Sequence, residues 1–308
     1  MTTAYISHHS FFDHEMGEGH PECPQRLTAI QDTLVEQQIF DFLLQLDPVK
    51  ADVSLLKQVH TPEYIDWLFK HGQISDGYFH VDDETTMNAH TLTAAQFAAG
   101  AGVVAIDGLF SGRFKNAFCA VRPPGHHAEK NESMGFSFFN NVVVAATYAQ
   151  QKYQLKRIAI IDFDVHHGNG TEDIIGDDSG ILYCSSYQHP LFPHTVVDHK
   201  KTNCVHCPLS AGTRSEGFRK AYEDTIFPAV DSFKPEIILV SAGFDGHIQD
   251  PMANWLLTEA DYNWVTEEII RLADTHCDGK IVSFLEGGYD LPALGRSVCG
   301  HVRLLANL

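Results

Sequence analysis

Acidic and imidazole side chains cluster directly after four short apolar runs of the sequence. The densest cluster is Asp162-Phe-Asp-Val-His-His167, in which Asp164 and His166 stand two residues apart. Buried polar groups of this kind need partners, because an unpaired one costs several kcal/mol. A metal ion is one such partner, and a hydrogen-bonded cluster without metal is the alternative. Asp245 follows another apolar run and would complete a set of three metal ligands.

Three protein ligands with one open coordination position describe a catalytic zinc site, which polarises a carbonyl and activates a water. Iron(II) is the alternative ion, since carboxylate and imidazole ligands suit several divalent metals. Two further clusters supply proton-transfer groups: the adjacent His126 and His127 after Pro-Pro-Gly, and Tyr289 after two glycines. A histidine pair suits acid–base work, and a phenol beside a metal suits a developing oxyanion. Together the four clusters predict a metal-dependent hydrolytic centre.

The four apolar runs before these clusters, and a fifth run over residues 181–185, predict the β-strands that position the clusters. They are continuous, as in strands buried on both faces of a parallel sheet, and comprise residues 117–121, 157–161, 181–185, 236–241 and 280–285. Helical patterns occupy residues 24–38, 93–110, 141–151, 216–233 and 258–273. This alternation predicts one α/β domain over residues 1–308, with ligands beyond the carboxyl ends of the strands. Because a strand alternates its faces, Asp162, Asp164 and His166 would share one face.

The composition is that of a globular protein with an acidic excess. The 308 residues are 44% apolar, and 40 acidic against 21 basic side chains give a net charge of −19. This charge repels nucleic acid and would attract a basic substrate, although solubility is the commoner reason for an acidic balance. The sequence has neither a signal-peptide pattern nor an uninterrupted apolar run that would span a bilayer. We therefore expect a cytoplasmic protein that binds neither nucleic acid nor membranes.

The seven cysteines are irregularly spaced, and we expect reduced thiols. Cys204 and Cys207 form a Cys-x-x-Cys pair, which is typical of half a zinc site. No second pair stands at a suitable spacing, and residues 203–209 also have the pattern of a strand. The sequence favours the strand.

The chain resembles the histone deacetylase superfamily, and within it the class II branch that includes bacterial acetylpolyamine amidohydrolases. The resemblance lies in six segments, residues 19–26, 122–128, 135–141, 162–170, 241–245 and 286–289. It implies an arginase/deacetylase-like three-layer α/β/α domain with a central parallel sheet of about eight strands. It also implies an amidohydrolase that removes acetyl or other acyl groups from amines.

The resemblance assigns roles to the matching residues. One zinc ion per chain would be bound by Asp164, His166 and Asp245. The catalytic set would be His127 as general base and then acid, Asn169 orienting it, His126 paired with Asp162, and Tyr289 as oxyanion donor. The substrate tunnel would be lined by Gly135, Phe136, Phe192, Gly288 and Met252, with core packing as the alternative for the two phenylalanines. A structural potassium ion would be held by the backbone carbonyls of Asp162, Asp164 and His166 together with Ser185.

One departure from the family pattern bears on the substrate. Relatives that prefer polyamines carry a glutamate directly after an Asp-Pro pair, whereas here Asp250-Pro251 is followed by Met252. This favours acyl-lysine in a protein or peptide as the substrate. An acylated polyamine stays open as the alternative, because acidic residues of another loop could recognise its ammonium group. Asp13, Glu15 and Glu18, in the loop before His20, are such acidic residues.

Two other classes fit the residues less well. An arginase-type ureohydrolase needs a binuclear manganese site, and Gly168 stands where its second metal would require a ligand. A non-catalytic binding module would not need a chemically competent residue at every site position. The sequence makes no prediction about the oligomeric state.

Overall fold

The centre of the fold is a parallel β-sheet, seen in a computed structural model that describes residues 2–194 and 201–308. Within those residues the sheet has eight strands in the order β2-β1-β5-β10-β9-β6-β7-β8, and β3 and β4 form a separate antiparallel hairpin. The strands are β1 (Thr3–Ile6), β2 (Leu44–Leu46), β3 (Phe79–His80), β4 (Thr86–Met87), β5 (Asn116–Cys119), β6 (Ile158–Asp162), β7 (Ile181–Gln188), β8 (Cys204–Leu209), β9 (Ile237–Ala242) and β10 (Ile281–Leu285).

Helices flank this sheet. They are α1 (Ser10–Asp13), α2 (Gln25–Glu36), α3 (Val53–Val59), α4 (Pro62–His71), α5 (Thr91–Phe110), α6 (Asn141–Tyr153), α7 (Asn169–Ile175), α8 (Ser215–Ala221), α9 (Phe227–Phe233), α10 (Glu259–His276) and α11 (Leu291–Ala306). A short 3₁₀ helix spans Phe40–Phe42, and a π-helical turn over Tyr222–Ile226 joins α8 to α9. The predicted α/β class, with helices around a parallel sheet of about eight strands, is confirmed.

The strands form where the sequence is continuously apolar. Every residue of β6, β9 and β10 is buried, as expected for strands covered on both faces. All five predicted strands are present, and residues 203–209 contain β8 as favoured. The sequence did not reveal β1 and β2, which are only four and three residues long.

Helix α5 is the one described helix with the length and hydropathy of a membrane span. Two thirds of its most apolar window, 67%, is buried inside the fold. It packs on α6, where a Cβ at Gly102 would lie 2.7 Å from the Cβ of Ala145, so only glycine permits the close approach. Packing in the core therefore accounts for its apolar composition.

Four neighbouring strands of the sheet, β5, β10, β9 and β6, end at the four polar clusters. Because these strands are parallel, their carboxyl ends lie at one edge and the clusters converge there. One expectation was wrong in detail: β6 ends at Asp162, so Asp164 and His166 lie in the following loop and not on a strand face. Asx-type hydrogen bonds shape this loop, from Asp164 N–H to Asp162 Oδ1 (3.1 Å) and from His166 N–H to Asp164 Oδ1 (2.8 Å).

Candidate active site

Asp164, His166 and Asp245 come together as the predicted ligand set. Nδ1 of His166 lies 3.1 Å from Oδ1 of Asp164 and 3.1 Å from Oδ2 of Asp245. Ligands of a tetrahedral ion with bonds of about 2.0–2.2 Å lie roughly 3.3–3.5 Å apart. The two separations from His166 are therefore within a few tenths of an ångström of those around a divalent ion, and all three ligand atoms lie within 4.8 Å of one another.

Backbone groups hold the two carboxylates in this orientation. Oδ2 of Asp164 accepts a hydrogen bond from Gly287 N–H (2.9 Å), and Oδ1 of Asp245 accepts one from Val165 N–H (3.0 Å). A side chain at Gly287 would overlap the carboxylates of both Asp164 and Asp245. The glycine after Glu286 thus leaves room for two carboxylates at one point, which fits an ion between them.

The charges of the three residues favour a cation at their centre. Burial lowers the pKa of His166, but its hydrogen bonds to Asp164 and Asp245 outweigh burial and raise that pKa to about 10. Burial would raise the pKa of Asp164, yet His126 and His166 hold it below its usual range. Burial and the neighbouring Asp164 raise the pKa of Asp245. The imidazolium proton of His166 therefore occupies the electrostatic place of a metal ion, which the two carboxylates and the imidazole fit.

His127 is fixed in the tautomer that a general base needs. Nδ2 of Asn169 donates to Oε1 of Glu129 (2.7 Å), so Oδ1 of Asn169 faces Nδ1 of His127 (2.7 Å) and accepts a hydrogen bond from its N–H. The lone pair of His127 is then on Nε2. Burial, together with His126 and His166, holds the pKa of His127 well below its ordinary value, so the ring is neutral.

His126 forms a separate pair with Asp162. Nδ1 of His126 lies 3.0 Å from Oδ2 of Asp162, and Nε2 lies 3.8 Å from Oδ2 of Asp164. Burial disfavours the charged ring, but Asp164, Asp162 and Glu286 outweigh burial and raise the pKa of His126 to about 10. The two adjacent histidines thus differ in charge, His126 being cationic and His127 neutral.

Tyr289 extends into the same site from the loop after β10. Its ring lies 6.0 Å from the ring of Phe136, and the guanidinium carbon of Arg26 lies 4.9 Å from its centroid. Asp250 holds its backbone, since Oδ2 of Asp250 accepts from the N–H groups of Tyr289 (2.6 Å) and Asp290 (3.1 Å). Burial raises the pKa of Tyr289 well above its ordinary value, so the phenol stays protonated and can donate a hydrogen bond.

A narrow cavity of roughly 100 Å³ leads to these groups. The described residues that line it are Glu84, His127, Gly135, Phe136, His166, Leu191, Phe192, Met252 and Tyr289. The ring of Phe192 lies 5.2 Å from that of His127, and a side chain at Gly135 would overlap the His127 ring. Of the predicted tunnel residues, Gly288 is not among the lining; its carbonyl accepts a hydrogen bond from Nε of Arg26 (2.7 Å).

Ser185, predicted as part of a potassium site, lies on β7 beside Asp162 on β6. Its hydroxyl is fully buried and interacts with the side chain of Tyr183. A buried hydroxyl of this kind has an oxygen available for a cation. The position beside Asp162 fits the predicted potassium site.

Several positioning residues were given no role from the sequence, although Arg26 and Glu286 lie in two of the segments that resemble the family. Glu286 accepts hydrogen bonds from the backbone of Gly125 (2.7 Å) and His126 (3.2 Å), and so ties the histidine pair to β10. Glu129 acts through Asn169, whereas Asp250 and Arg26 act through Tyr289. Glu84 lines the cavity, whereas Glu15 and Glu18 line a separate cavity of about 530 Å³.

Comparisons with known proteins identify the family and the fold that the chain is similar to. Residues 20–305 match the family model described as the histone deacetylase domain. A protein of Archaeoglobus fulgidus named probable deacetylase is 35% identical over 302 residues, covering 94% of this chain and 82% of that protein. The mouse protein named polyamine deacetylase HDAC10 is 36% identical over 308 residues, covering 92% of this chain and 44% of that protein. The crystal structure of the HDA15 HD domain matches with a TM-score of 0.92 and 32% identity, over 99% of this chain and 88% of that one.

Proposed function

The chain belongs to the histone deacetylase family and is a hydrolytic deacetylase, and we propose that it removes acyl groups from acyl-lysine in proteins or peptides with the help of zinc. One observation carries the proposal: His166, beside Asp164 and Asp245, lines the same narrow cavity as His127 and Tyr289. A ligand set, a neutral base and a protonated phenol around one cavity are the parts that amide hydrolysis requires.

Zinc held by Asp164, His166 and Asp245 would supply Lewis acidity toward the amide carbonyl and the attacking water. Nε2 of His127 takes a proton from that water, since Nδ1 is committed to Asn169. The hydroxyl of Tyr289 donates a hydrogen bond to the carbonyl oxygen as it gains negative charge. The oxygen of the water bonds to the carbonyl carbon, the amide C–N bond then breaks, and His127 gives the proton that it took from the water to the leaving amine.

Two further groups support the reaction without taking part in it. The cationic His126, held by Asp162, offsets the negative charge of the carboxylates beside His127. A potassium ion at Ser185 and the backbone carbonyls of Asp162, Asp164 and His166 would fix the loop that carries the ligands. The buried Ser185 hydroxyl supports this second ion.

The cavity suits the stem of an acyl-lysine. Phe136 and Phe192 present aromatic rings, and Met252 adds a thioether, so the lining is largely apolar around its catalytic groups. Such a surface packs on the methylene chain of lysine and excludes water from it. The reacting carbonyl can then reach Tyr289 and His127 while the peptide stays outside.

We expect the zinc-loaded protein to release acetate from an acetyl-lysine peptide and to be inhibited by a hydroxamate, because a hydroxamate chelates an active-site metal. The assay measures kcat/KM for acetyl-lysine peptides beside acetylputrescine and acetylspermidine, with zinc per chain determined in the same samples. A higher kcat/KM on the peptides is the expected order. Zinc-loaded protein that turns over neither class of substrate would sink the proposal.

Glu84 gives a specific reason to keep acylated polyamines as a second candidate. It is an exposed acidic residue in the cavity lining, at the tip of the β3–β4 hairpin. The hairpin is tied to the tunnel wall, because Phe136 N–H donates to Oγ1 of Thr85 (3.2 Å). Nε2 of His20 also lies 3.2 Å from the backbone carbonyl oxygen of Glu84. A carboxylate held there would attract a second ammonium group on the substrate.

Glu84→Gln should lower kcat/KM for acetylputrescine by about twofold to fivefold, the usual weight of one exposed ion pair. It should leave an acetyl-lysine peptide without other charges unchanged. The measurement compares the two substrates at low and high salt, with Glu15→Gln as the matched control because Glu15 lines the separate cavity. An equal loss on both substrates would show that Glu84 acts through the shape of the hairpin and not through its charge.

A further inference from the structure

A second cluster of metal-ligating side chains lies beside the catalytic loop, the loop after β6 that carries Asp164 and His166. Its residues are not among those that line the tunnel. His167 follows His166 in that loop, Glu172 lies on α7, and His206 lies on β8. Nε2 of His167 is 3.1 Å from Oε2 of Glu172, and Nε2 of His206 is 3.6 Å from Oε1 of Glu172. One ligand atom from each residue can be chosen so that all three lie within 4.8 Å of one another.

These separations are close to those of a metal ligand set. Two imidazole nitrogens and a carboxylate oxygen around a tetrahedral zinc ion lie roughly 3.3–3.5 Å apart. The observed 3.1 and 3.6 Å join the two histidines to different oxygens of Glu172, and one ligand atom per residue can be chosen so that all three lie within 4.8 Å of one another. The catalytic set has comparable separations of 3.1 Å. Both clusters bring three possible ligand atoms within 4.8 Å of one another, although among the described residues only the catalytic cluster contributes to the tunnel lining.

Burial distinguishes the cluster from a chance meeting of surface groups. The side chains of His167, Glu172 and His206 are only 4%, 8% and 5% exposed. A carboxylate this deeply buried requires a compensating positive charge. A divalent ion bound to Nε2 of His167 and to the Glu172 carboxylate would supply it.

The position of His206 on β8 also decides how the Cys-x-x-Cys pair of the sequence, Cys204 and Cys207, is to be interpreted. Successive residues of a strand point to opposite faces, so Cys204 and Cys207 cannot share one metal ion from within β8. Sγ of Cys207 contacts the carbonyl of Ala221 (3.8 Å) on α8. His206 between them faces Glu172 instead. The pair is therefore not half a zinc site, but the residue between the two cysteines is a potential ligand.

We propose that His167, Glu172 and His206 form a second divalent-metal site, selective for zinc-like ions and separate from the catalytic centre. Two imidazoles and one carboxylate are a ligand set that zinc takes readily, with a fourth position left for water or another donor. The site links the catalytic loop to α7 and to the edge strand β8. Its metal would brace Asn169, which begins α7 and orients His127.

One neighbouring charge opposes the metal and makes the proposal easier to test. Nζ of Lys201 lies 3.9 Å from Oε1 of Glu172 and donates a hydrogen bond to the Glu172 carbonyl (2.8 Å). A positive charge at this distance weakens the binding of a cation. Removing it should therefore tighten the second site, while removing a ligand abolishes it.

The test is a zinc count on the full chain. Wild type, His206→Asn, Asp245→Asn and the double variant are loaded with zinc, gel-filtered and analysed by mass spectrometry of the metal. Two zinc ions per chain are expected for wild type, one for each single variant and none for the double variant. Lys201→Met should keep two, with the second zinc lost to a competing chelator at several-fold higher chelator concentration than in wild type.

Each outcome decides one site without the other. Equal zinc content in wild type and His206→Asn overturns the second site, whatever the catalytic result. One zinc that His206→Asn removes and Asp245→Asn retains would support the second site and contradict zinc at the catalytic one. If His206→Asn does not fold, judged by circular dichroism, Glu172→Gln replaces it. A second zinc no tighter in Lys201→Met than in wild type would count against Glu172 as a ligand.

Discussion

Tyr289→Phe will lower kcat for an acetyl-lysine peptide by about 10²- to 10³-fold, the usual loss when one oxyanion donor is removed. The substitution deletes only the hydroxyl. The ring can still pack 6.0 Å from Phe136 and under the guanidinium of Arg26, so the cavity keeps its shape. The zinc content should therefore be unchanged, because Tyr289 is not part of the proposed ligand set.

The decisive measurement separates kcat from metal and ligand binding. Steady-state kinetics, zinc per chain and hydroxamate affinity are determined on the same preparation, with Tyr78→Phe as the matched control. Tyr78 is 47% exposed and lies outside the tunnel lining, so its loss should leave kcat unchanged. Full activity in Tyr289→Phe would remove the oxyanion role from this residue, and a parallel loss of zinc would make it a structural one.

The site could be predicted to the extent that its signals are local in the sequence. Asp164 and His166 stand next to an apolar run, as do the histidine pair and Tyr289, and parallel strands bring the ends of such runs to one edge. Knowing that the runs are strands was therefore sufficient to group the clusters. The four clusters are spread over more than 150 residues of the sequence. The order of β5, β10, β9 and β6 explains why they nevertheless form a single site.

The pairings that hold the site in place have no such local signal, although Glu286 itself directly follows the apolar run over residues 280–285. Arg26 binds the carbonyl of Gly288 across 262 positions, and Glu286 binds the backbone of Gly125 across 161. Their partners are backbone groups, which any residue type provides, so neither spacing nor composition identifies the pairs. Glu84 escaped notice for a different reason. It lies in a hairpin with two-residue strands, too short to show alternation.

Most of the elements that the sequence did not predict are short or irregular, but α4 and α11, with 10 and 16 residues, are regular helices that were also missed. Strands β1 and β2 have four and three residues, and Leu44-Gln-Leu46 carries too few positions for a period to be recognised. The predicted helix over residues 216–233 is interrupted by the π-helical turn at Tyr222–Ile226. Such a turn changes the hydrogen-bond register while the side-chain pattern stays helical, so amphipathic spacing does not reveal it.

Asp245→Asn should abolish measurable deacetylation and remove one zinc ion per chain. Asparagine keeps the size of the side chain and an oxygen that can accept from Val165 N–H, as Oδ1 of Asp245 does at 3.0 Å. It loses the negative charge that lies 3.1 Å from Nδ1 of His166. A neutral carboxamide is a weak ligand for a divalent ion, so the variant tests the charge of the site with little change in its shape.

We expect the same variant to lose activity without losing stability in the metal-free protein. Burial and Asp164 raise the pKa of Asp245 in the metal-free fold, so its ionisation near neutral pH opposes folding there. Metal-free Asp245→Asn should therefore melt no lower than metal-free wild type. In the His206→Asn background, which lacks the second proposed site, zinc should raise the melting temperature only where Asp245 is intact, because only a form that binds the ion gains from it; an excess of 100 Kd contributes about 2.7 kcal/mol.

Melting curves in chelator and in excess zinc test both parts. They are recorded in the His206→Asn background, so that the second proposed metal site does not contribute, with Glu268→Gln on the surface of α10 as control. A zinc-dependent rise of equal size with and without Asp245→Asn would exclude Asp245 as a ligand. A large drop in the metal-free melting temperature would instead show that Asp245 stabilises the fold through its hydrogen bonds, and that its charge is not reserved for the metal.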